Sequence, residues 1–469
     1  MILQKNAAAV AAVRMLYVLL LIILFPALAH AHGRLRHSIP SSGAQLKVAP
    51  TELRLTFSEP FELAYARVEL LGPSGSVSLG QIIQRADSAS LMVVPIRGGL
   101  DAGEYVVRWQ IAGADGHPTR GEFSFTILPN APGIALPAAP GETPPPAAHH
   151  MAEHHQETDF NAESAPYAVV RWLNFMALLG VLGIVAFQLV LALAQRQSVP
   201  SSKVVVEPAR QRSVRVGFLA ACVLVCAAVL RLLAQSYALH GPANVLSPGL
   251  LGTLLTHTLW GWAWLLQLAA TVLALIGFWI ARSRVAGWPI AAVAAVLLAV
   301  TPALSGHAVA AKVAVLPVIT DALHILGAGG WLGSLFALVF VGIPTVLALS
   351  ADERGPAVAA LVNAFSPTAL FFAGTTIATG VFAAWLHLGA VSQLWQADYG
   401  RILLLKLAVL SGAFATGAYN WLRVRPALGD NVGTARLRRS AALELIIAVI
   451  VIAVTAVLVA TPTPMTGNL

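Results

Sequence analysis

Residues 103–127 read GEYVVRWQIAGADGHPTRGEFSFTI, and this segment decides the fold of the first half of the chain. Apolar and polar residues alternate on both sides of Asp115-Gly116-His117-Pro118, a pattern typical of two half-buried strands joined by a tight turn. Gly116 allows unusual backbone angles, so Asp115 and His117 can project from one short turn. Similar runs recur from residue 50 onward, separated by Gly- and Pro-rich turns. The pattern predicts a small antiparallel sandwich or barrel of about seven strands.

The second half of the chain is too apolar for a water-soluble protein. Hydrophobic residues make up 57% of the 469 residues and charged residues 11%, and the mean hydropathy is +0.76. Apolar runs long enough to cross a bilayer, about 20 residues, recur from residue 168 onward. The net charge of +8 comes mostly from short loops between these runs, without a nucleic-acid motif, so we expect no nucleic-acid partner. The two cysteines, Cys222 and Cys226, lie inside an apolar run, so the first half has no disulfide.

The N-terminus has the order of a secretory signal. Basic residues precede the apolar stretch 15–25, and small residues follow it. Two A-x-A cleavage positions are present: cleavage after Ala29 leaves His30 first, and cleavage after Ala31 leaves His32 first. Either product begins with a histidine, whose free amine and imidazole together can chelate a borderline metal ion.

A linker is predicted over residues 129–165, which are rich in Pro, Ala and Gly and show no apolar period. Its histidines have two interpretations: a polar tether that happens to be His-rich, and a site of weak, exchangeable metal-ion capture. The histidines are His149, His150, His154 and His155.

Charge asymmetry predicts the topology of the membrane part. Because the first half is exported, the first span must run from outside to inside. Basic residues are concentrated in the loops after spans one, three, five and seven, whereas the opposite loops contain only Lys312 and, at a span boundary, Arg401. Both ends of the membrane part are therefore expected outside. The eight predicted spans are 168–194, 214–237, 251–281, 286–304, 317–349, 365–387, 401–422 and 440–461.

Five histidines from different spans are predicted at one depth, on the outer side. Histidines in or beside apolar helices usually face a bundle interior or a cavity, so we interpret them as a metal entrance. The alternative is that each bonds to a neighbouring helix. The residues are His240, His257, His307, His324 and His387.

Other polar side chains lie within the predicted spans. Asp321 shares a helix face with His324 and could orient its imidazole or carry a proton. Arg231 is expected to extend to the membrane interface. Cys222 and Cys226 share one face of span two and are either candidate ligands for Cu(I) or small apolar residues.

The motifs of the first half together closely resemble the CopC family of periplasmic copper-binding proteins, which are all-β, Ig-like Greek-key domains. The resemblance implies that Cu(II) is held by the terminal amine and imidazole of His32 and by Asp115 and His117, and it selects cleavage before His32. Met92 is the domain's single methionine, so we expect one cupric site. The motifs are His32-Gly-Arg-Leu35, Leu55-Thr-Phe-Ser-Glu59-Pro60, Gly103-Glu-Tyr105 with Trp109, Asp115-Gly-His-Pro118 and Gly121-Glu-Phe-Ser-Phe125.

Motifs of the second half resemble the CopD copper-resistance membrane domain, most clearly over residues 300–425. This resemblance implies that copper passes across the inner membrane, in the inward direction. The motifs are Ser305-Gly-His307, Asp321-Ala-Leu-His324 with Trp331-Leu-Gly333, Gly380 with Trp385-Leu-His387-Leu-Gly389, and Tyr399-Gly-Arg401 with Lys406.

The sequence therefore predicts a two-part protein of the bacterial inner membrane with its first part in the periplasm. The parts are a signal peptide (1–31), a CopC-like β domain (32–128), a linker (129–165) and an all-α CopD-like membrane domain (166–469) of about eight transmembrane helices.

The predicted function is copper homeostasis or resistance, without enzymatic activity. Copper is the predicted ligand, as Cu(II) in the first domain and Cu(I) as a candidate in the membrane domain. Periplasmic copper chaperones are candidate partners. One alternative is a membrane-anchored copper buffer or sensor that does not transport. Another, a haem-based redox enzyme, is disfavoured because haem needs histidines paired across the membrane.

Overall fold

The computed structural model describes residues 35–58, 60–85, 88–113, 118–129, 164–197, 200–305, 315–425, 431–461 and 463.

The first half is a sandwich of two β-sheets, which confirms the predicted all-β fold. One sheet has the strand order β1-β3-β7-β6 and the other β2-β9-β8-β4-β5. Neighbours are antiparallel except β2, which runs parallel to β9. The strands are β1 Leu35–Ile39, β2 Gln45–Leu46, β3 Glu52–Phe57, β4 Arg67–Gly72, β5 Gly75–Val77, β6 Ile83–Arg85, β7 Ser88–Pro95, β8 Gly103–Ala112 and β9 Pro118–Ile127.

The alternation in the sequence places every second side chain between the sheets. In β3, Leu53, Leu55 and Phe57 are buried, and the residues between them are more exposed. Phe57 packs edge-on against Trp109 of β8, with ring centroids 5.1 Å apart. Trp109 also lies over its cross-strand partner Gly121, where any larger side chain would collide with the indole. Strands β2, β5 and β6 are not predicted from the sequence. Each has only two or three residues, too few for an alternation of apolar and polar residues to be visible.

Eight helices are long and apolar enough to cross a membrane, as predicted. The remaining two, α3 and α8, are short. The helices are α1 Ala165–Gln195, α2 Pro200–His240, α3 Pro248–His257, α4 Leu259–Ala281, α5 Gly287–Leu304, α6 Val315–Leu347, α7 Ala351–Leu388, α8 Gln393–Gln396, α9 Asp398–Val424 and α10 Asn431–Leu458.

Helix α6 is the most buried of the eight and lies at the centre of the bundle. It crosses α1 at a pair of glycines: a Cβ atom on Gly183 would overlap the backbone of Gly333. In a membrane, where helices associate by close packing, such a contact lets two backbones touch. The α-helical path of α6 widens into π-helical turns at Gly329–Gly333 and Leu338–Gly342, and α9 has one at Asn420–Val424.

The predicted third span begins too early. The structure divides it at Thr258, whose backbone is extended and whose side chain accepts a hydrogen bond from the Gly261 amide, 2.9 Å away, as an N-cap. The apolar run continues through this break, so hydropathy alone does not show it. His257 therefore ends the short helix α3 and is not part of the spanning helix α4.

One end of the sandwich rests on α2, α3 and α4. Tyr65 and Ala112 share an apolar cluster with residues of these helices, among them Trp260. Arg120 Nη2 donates a hydrogen bond to the Ala238 carbonyl, 3.2 Å away. The sandwich thus contacts the helix ends that the charge asymmetry predicts to be outside.

Candidate metal centre

The three predicted Cu(II) ligands, His32, Asp115 and His117, lie outside the described residues. The same holds for the signal peptide and for the predicted metal-binding residues of the linker and of one membrane loop, which are His149, His150, His154, His155 and His307.

The described neighbours of the predicted Cu(II) ligands meet at one end of the sandwich. Gly113, which leads into the Asp115 turn, forms a β-bridge with Phe61. Phe61 packs against Phe57, with ring centroids 5.5 Å apart. Phe57 in turn pairs with Leu35, the first residue of β1. The N-terminal end of β1 and the C-terminal end of β8 are therefore at the same end.

That end of the sandwich faces His240, the last residue of α2. The rings of His240 and Tyr65 have centroids 6.0 Å apart. His240 Nδ1 is 3.2 Å from Ser236 Oγ, and Nε2 is buried without a hydrogen-bond partner among the described residues. An imidazole nitrogen with no partner is free to bind a metal ion or a proton. Burial and the nearby Glu62 raise the pKa of Tyr65 to about 12, so its hydroxyl stays protonated.

A cavity of about 540 Å³ opens between the sandwich and α3. The sandwich contributes Phe61, Glu62 and Gln84 to its wall, and α3 contributes Thr253 and His257. The His257 side chain is exposed, and burial raises the pKa of the Glu62 carboxyl above its ordinary value. A carboxylate of one domain and an imidazole of the other thus line the same space.

A second polar cluster lies between α6, α7 and α9. His324 Nδ1 is 3.0 Å from Thr379 Oγ1, and the imidazole lies over Gly380. His387 Nδ1 is 3.1 Å from the Tyr399 hydroxyl. These bonds fix both rings, in keeping with the open alternative in which each histidine bonds to a neighbouring helix.

Charged groups complete this cluster. The Asp321 carboxylate is close enough to Tyr399 and to Lys406 to interact electrostatically with both, and Lys406 interacts in turn with His324. The sequence motifs give Lys406 no role, although a lysine within a span is itself a signal of a functional site.

The outer histidines do not converge on one point. His240 and His257 lie beside the sandwich, whereas His324 and His387 belong to the cluster of α6, α7 and α9. Among the residues that the structure describes, no three His, Cys, Asp or Glu side chains are arranged to hold a metal ion.

The cysteines are on the surface of the bundle. Cys222 is half-buried and Cys226 is exposed on α2. This placement gives no support to a Cu(I) site in the bundle interior.

The expectation that Arg231 extends to the membrane interface is wrong. It is only 9% exposed, because it donates hydrogen bonds to Gln267 Oε1 (3.1 Å) and Ser305 Oγ (2.7 Å) and lies over the Trp260 ring. Partners from α4 and α5 hold it inside the bundle. Arg171 of α1 is buried as well, with its Nη1 2.7 Å from the Ala456 carbonyl.

Glu444 of α10 was missed. It is the single acidic residue of the predicted span 440–461, and that alone would have marked it, since charged residues inside a bilayer are costly and rare.

Comparisons with known proteins match both halves. Residues 35–128 match the CopC domain, 161–315 the copper resistance protein D-like N-terminal domain, and 359–458 copper resistance protein D. Protein YobA of Escherichia coli (strain K12) is 30% identical over 98 residues, which are 21% of this chain and 79% of YobA. The chain belongs to the CopC/CopD family.

This CopC/CopD chain is similar over most of its length to the copper transport protein CutJ of Bacillus subtilis (strain 168). The two are 24% identical over 416 residues, 87% of this chain and 71% of CutJ. The crystal structure of CopC from Methylosinus trichosporium OB3b is 27% identical to this chain and covers 21% of it and 95% of its own length, with a TM-score of 0.20. The protein is thus a multi-pass membrane member of a copper-resistance and copper-transport family.

Proposed function

We propose that this CopC/CopD protein binds Cu(II) on the periplasmic side of the bacterial inner membrane and imports copper through its membrane domain. Cleavage before His32 would create a site made of one amine, two imidazoles and the Asp115 carboxylate. Nitrogen and carboxylate donors suit tetragonal Cu(II), which is at the top of the divalent affinity series. A periplasmic copper chaperone would supply the ion.

The docking of the sandwich on α2, α3 and α4 is the observation that carries the proposal. The end of the sandwich where β1 begins and β8 ends rests beside His240. The free Nε2 atom of His240 is a natural next ligand, and Glu62 and His257 line the adjoining cavity. From there the ion would proceed to Asp321, His324 and His387.

Electron paramagnetic resonance tests the Cu(II) site. We expect the purified protein to give a nitrogen-rich cupric signal that is lost when one extra residue precedes His32, because the extension moves the free amine away from the imidazole. Asp115→Ala should weaken the signal. Persistence of the full signal in the extended protein would contradict the terminal-amine ligand.

A membrane-anchored copper buffer or sensor is the second candidate. It is favoured by the lack of a three-ligand cluster among the described membrane residues. Uptake of isotopic copper into vesicles that contain the purified protein separates the two functions. Tight Cu(II) binding without uptake would establish the buffer and refute the transporter.

A further inference from the structure

Glu444 is a buried carboxylate inside the membrane domain. Its side chain is 6% exposed, and it accepts a hydrogen bond from Asn420 Nδ2 at 3.3 Å. The Trp331 indole is a further neighbour of the carboxyl group. Among the described residues, no Lys, Arg or His forms an ion pair with it. The carboxylate therefore keeps free lone pairs and an unbalanced charge.

Asn420 supplies a second oxygen at the same place. Its Oδ1 atom is buried and has no hydrogen-bond partner among the described residues. A buried acceptor without a donor is costly, and here it stands beside a carboxylate, which is an acceptor as well. The Asn420 amide donates to Glu444 through Nδ2 and leaves its Oδ1 as a second oxygen, without a donor, that a cation beside the carboxylate would satisfy.

The backbone near Glu444 is unusual on two helices. Asn420 begins the π-helical turn of α9, and Trp331 lies in the first π-helical turn of α6. Isolated π-helical turns inside α-helices occur frequently at functional sites. Gly417, one turn before Asn420, leaves room, since even a Cβ atom there would be 3.7 Å from Glu444 Oε1.

The buried charges differ between two groups of helices in the bundle. Between α2 and α4, Arg231 is held by the neutral groups of Gln267 and Ser305, so its positive charge repels a cation there. Between α6, α7, α9 and α10, the cation Lys406 is offset by Asp321, and the next buried charge toward the Arg436 end of α10 is the anion Glu444. A copper ion would be repelled beside Arg231 and attracted beside Glu444.

We propose that Glu444 and Asn420 Oδ1 form an inner cation site, which a copper ion occupies after it leaves the outer histidines. This inference rests on the proposed function. Oxygen ligands hold copper less tightly than imidazole does. Imidazole ligands on the outer side followed by oxygen ligands deeper in the bundle would therefore favour release on the inner side. Conduction requires sites that bind well enough to accept an ion and weakly enough to let it leave.

Glu444→Gln in the full-length protein tests the site. The amide keeps the shape of the side chain and removes its charge, so we expect copper uptake into proteoliposomes to fall by at least about tenfold. Glu444→Asp keeps the charge and should retain part of the uptake. The matched control is Glu207→Gln, which changes an exposed glutamate of α2 paired with Arg210 and should leave uptake unchanged.

Copper binding distinguishes failure of this site from failure of transport. In a background with Asp115→Ala and His117→Ala, equilibrium dialysis of the detergent-solubilised protein should show less bound copper for Glu444→Gln than for Glu207→Gln. If the wild type shows no uptake but this difference persists, transport is refuted and the inner site stands.

Two outcomes would overturn the inner site. One is normal uptake and binding in Glu444→Gln while the wild type transports copper. The other is a change only in the pH dependence of uptake, which would mean that Glu444 carries a proton. A monodisperse elution profile shared by all variants excludes misfolding as the cause of lost uptake.

Discussion

Glu62 is half-buried at the edge of the cavity between the sandwich and α3, and its burial makes stability depend on pH. Because its pKa is raised in the folded protein, the folded state holds the proton more tightly than the unfolded state. The resulting stabilisation is complete below the ordinary pKa of 4.5 and is lost as the pH rises through the raised value.

Replacing Glu62 by Gln should therefore stabilise the protein at neutral pH. The amide removes the cost of ionising a half-buried carboxylate. In thermal unfolding without copper, Glu62→Gln should have a higher midpoint than the wild type at neutral pH, and the two midpoints should converge in acid. The control is Glu69→Gln, at an exposed position of β4, whose midpoint should not differ from that of the wild type. A midpoint gap that does not change with pH would contradict this explanation.

At the level of single residues, the sequence predicted which side chains can bind a metal ion better than it predicted which residues surround a given side chain. The Asp115 turn and the terminal histidine stand out because short motifs identify them. The buried position of Arg231 does not, because it depends on Gln267 and Ser305, which come from other helices and have no fixed spacing from it. Glu444 was accessible to sequence reasoning, but its neighbour Asn420 was not.

The helices pack through small residues, and the crossing of α1 with α6 is the tightest contact among them. Gly183 meets the Gly333 backbone, whereas a Cβ atom at Gly180 would be 3.6 Å from Ala220, an ordinary contact. The two glycines of α1 thus differ in the space around them although both are in the same helix.

Gly183→Ala should lower the free energy of unfolding by about 3 kcal/mol or more, because the methyl group forces the two backbones apart. Gly180→Ala should leave it unchanged or raise it by up to about 1 kcal/mol, since alanine favours the helix. Reversible unfolding in mixed detergent measures both. Equal effects of the two substitutions would contradict the close crossing.

Periodicity predicted the elements that are long and regular. The strands of the sandwich and the eight spans follow from alternation and hydropathy. The break at Thr258 and the π-helical turns of α6 and α9 were not predictable, since they interrupt runs whose composition does not change. These irregular places position His257, Trp331 and Asn420.

In the whole molecule, the contact between the two halves connects copper binding to the membrane. Tyr65, Ala112 and Arg120 fix the sandwich on α2, α3 and α4, beside His240. The sequence predicts each half by itself but not this contact, because it joins side chains far apart in the chain. In the proposed function, transport would be a transfer of copper from one half to the other.

A single-turnover measurement tests this transfer most directly. Proteoliposomes with the sandwich outward are loaded with one Cu(II) per chain and freed of unbound copper, and an enclosed chelator reports copper that reaches the lumen. We predict that the cupric resonance signal of the sandwich site decays as lumenal copper appears in equal amount, and that His240→Ala slows both changes. Copper that stays on the sandwich, or that leaves only to the outer medium, would contradict transfer through the membrane domain.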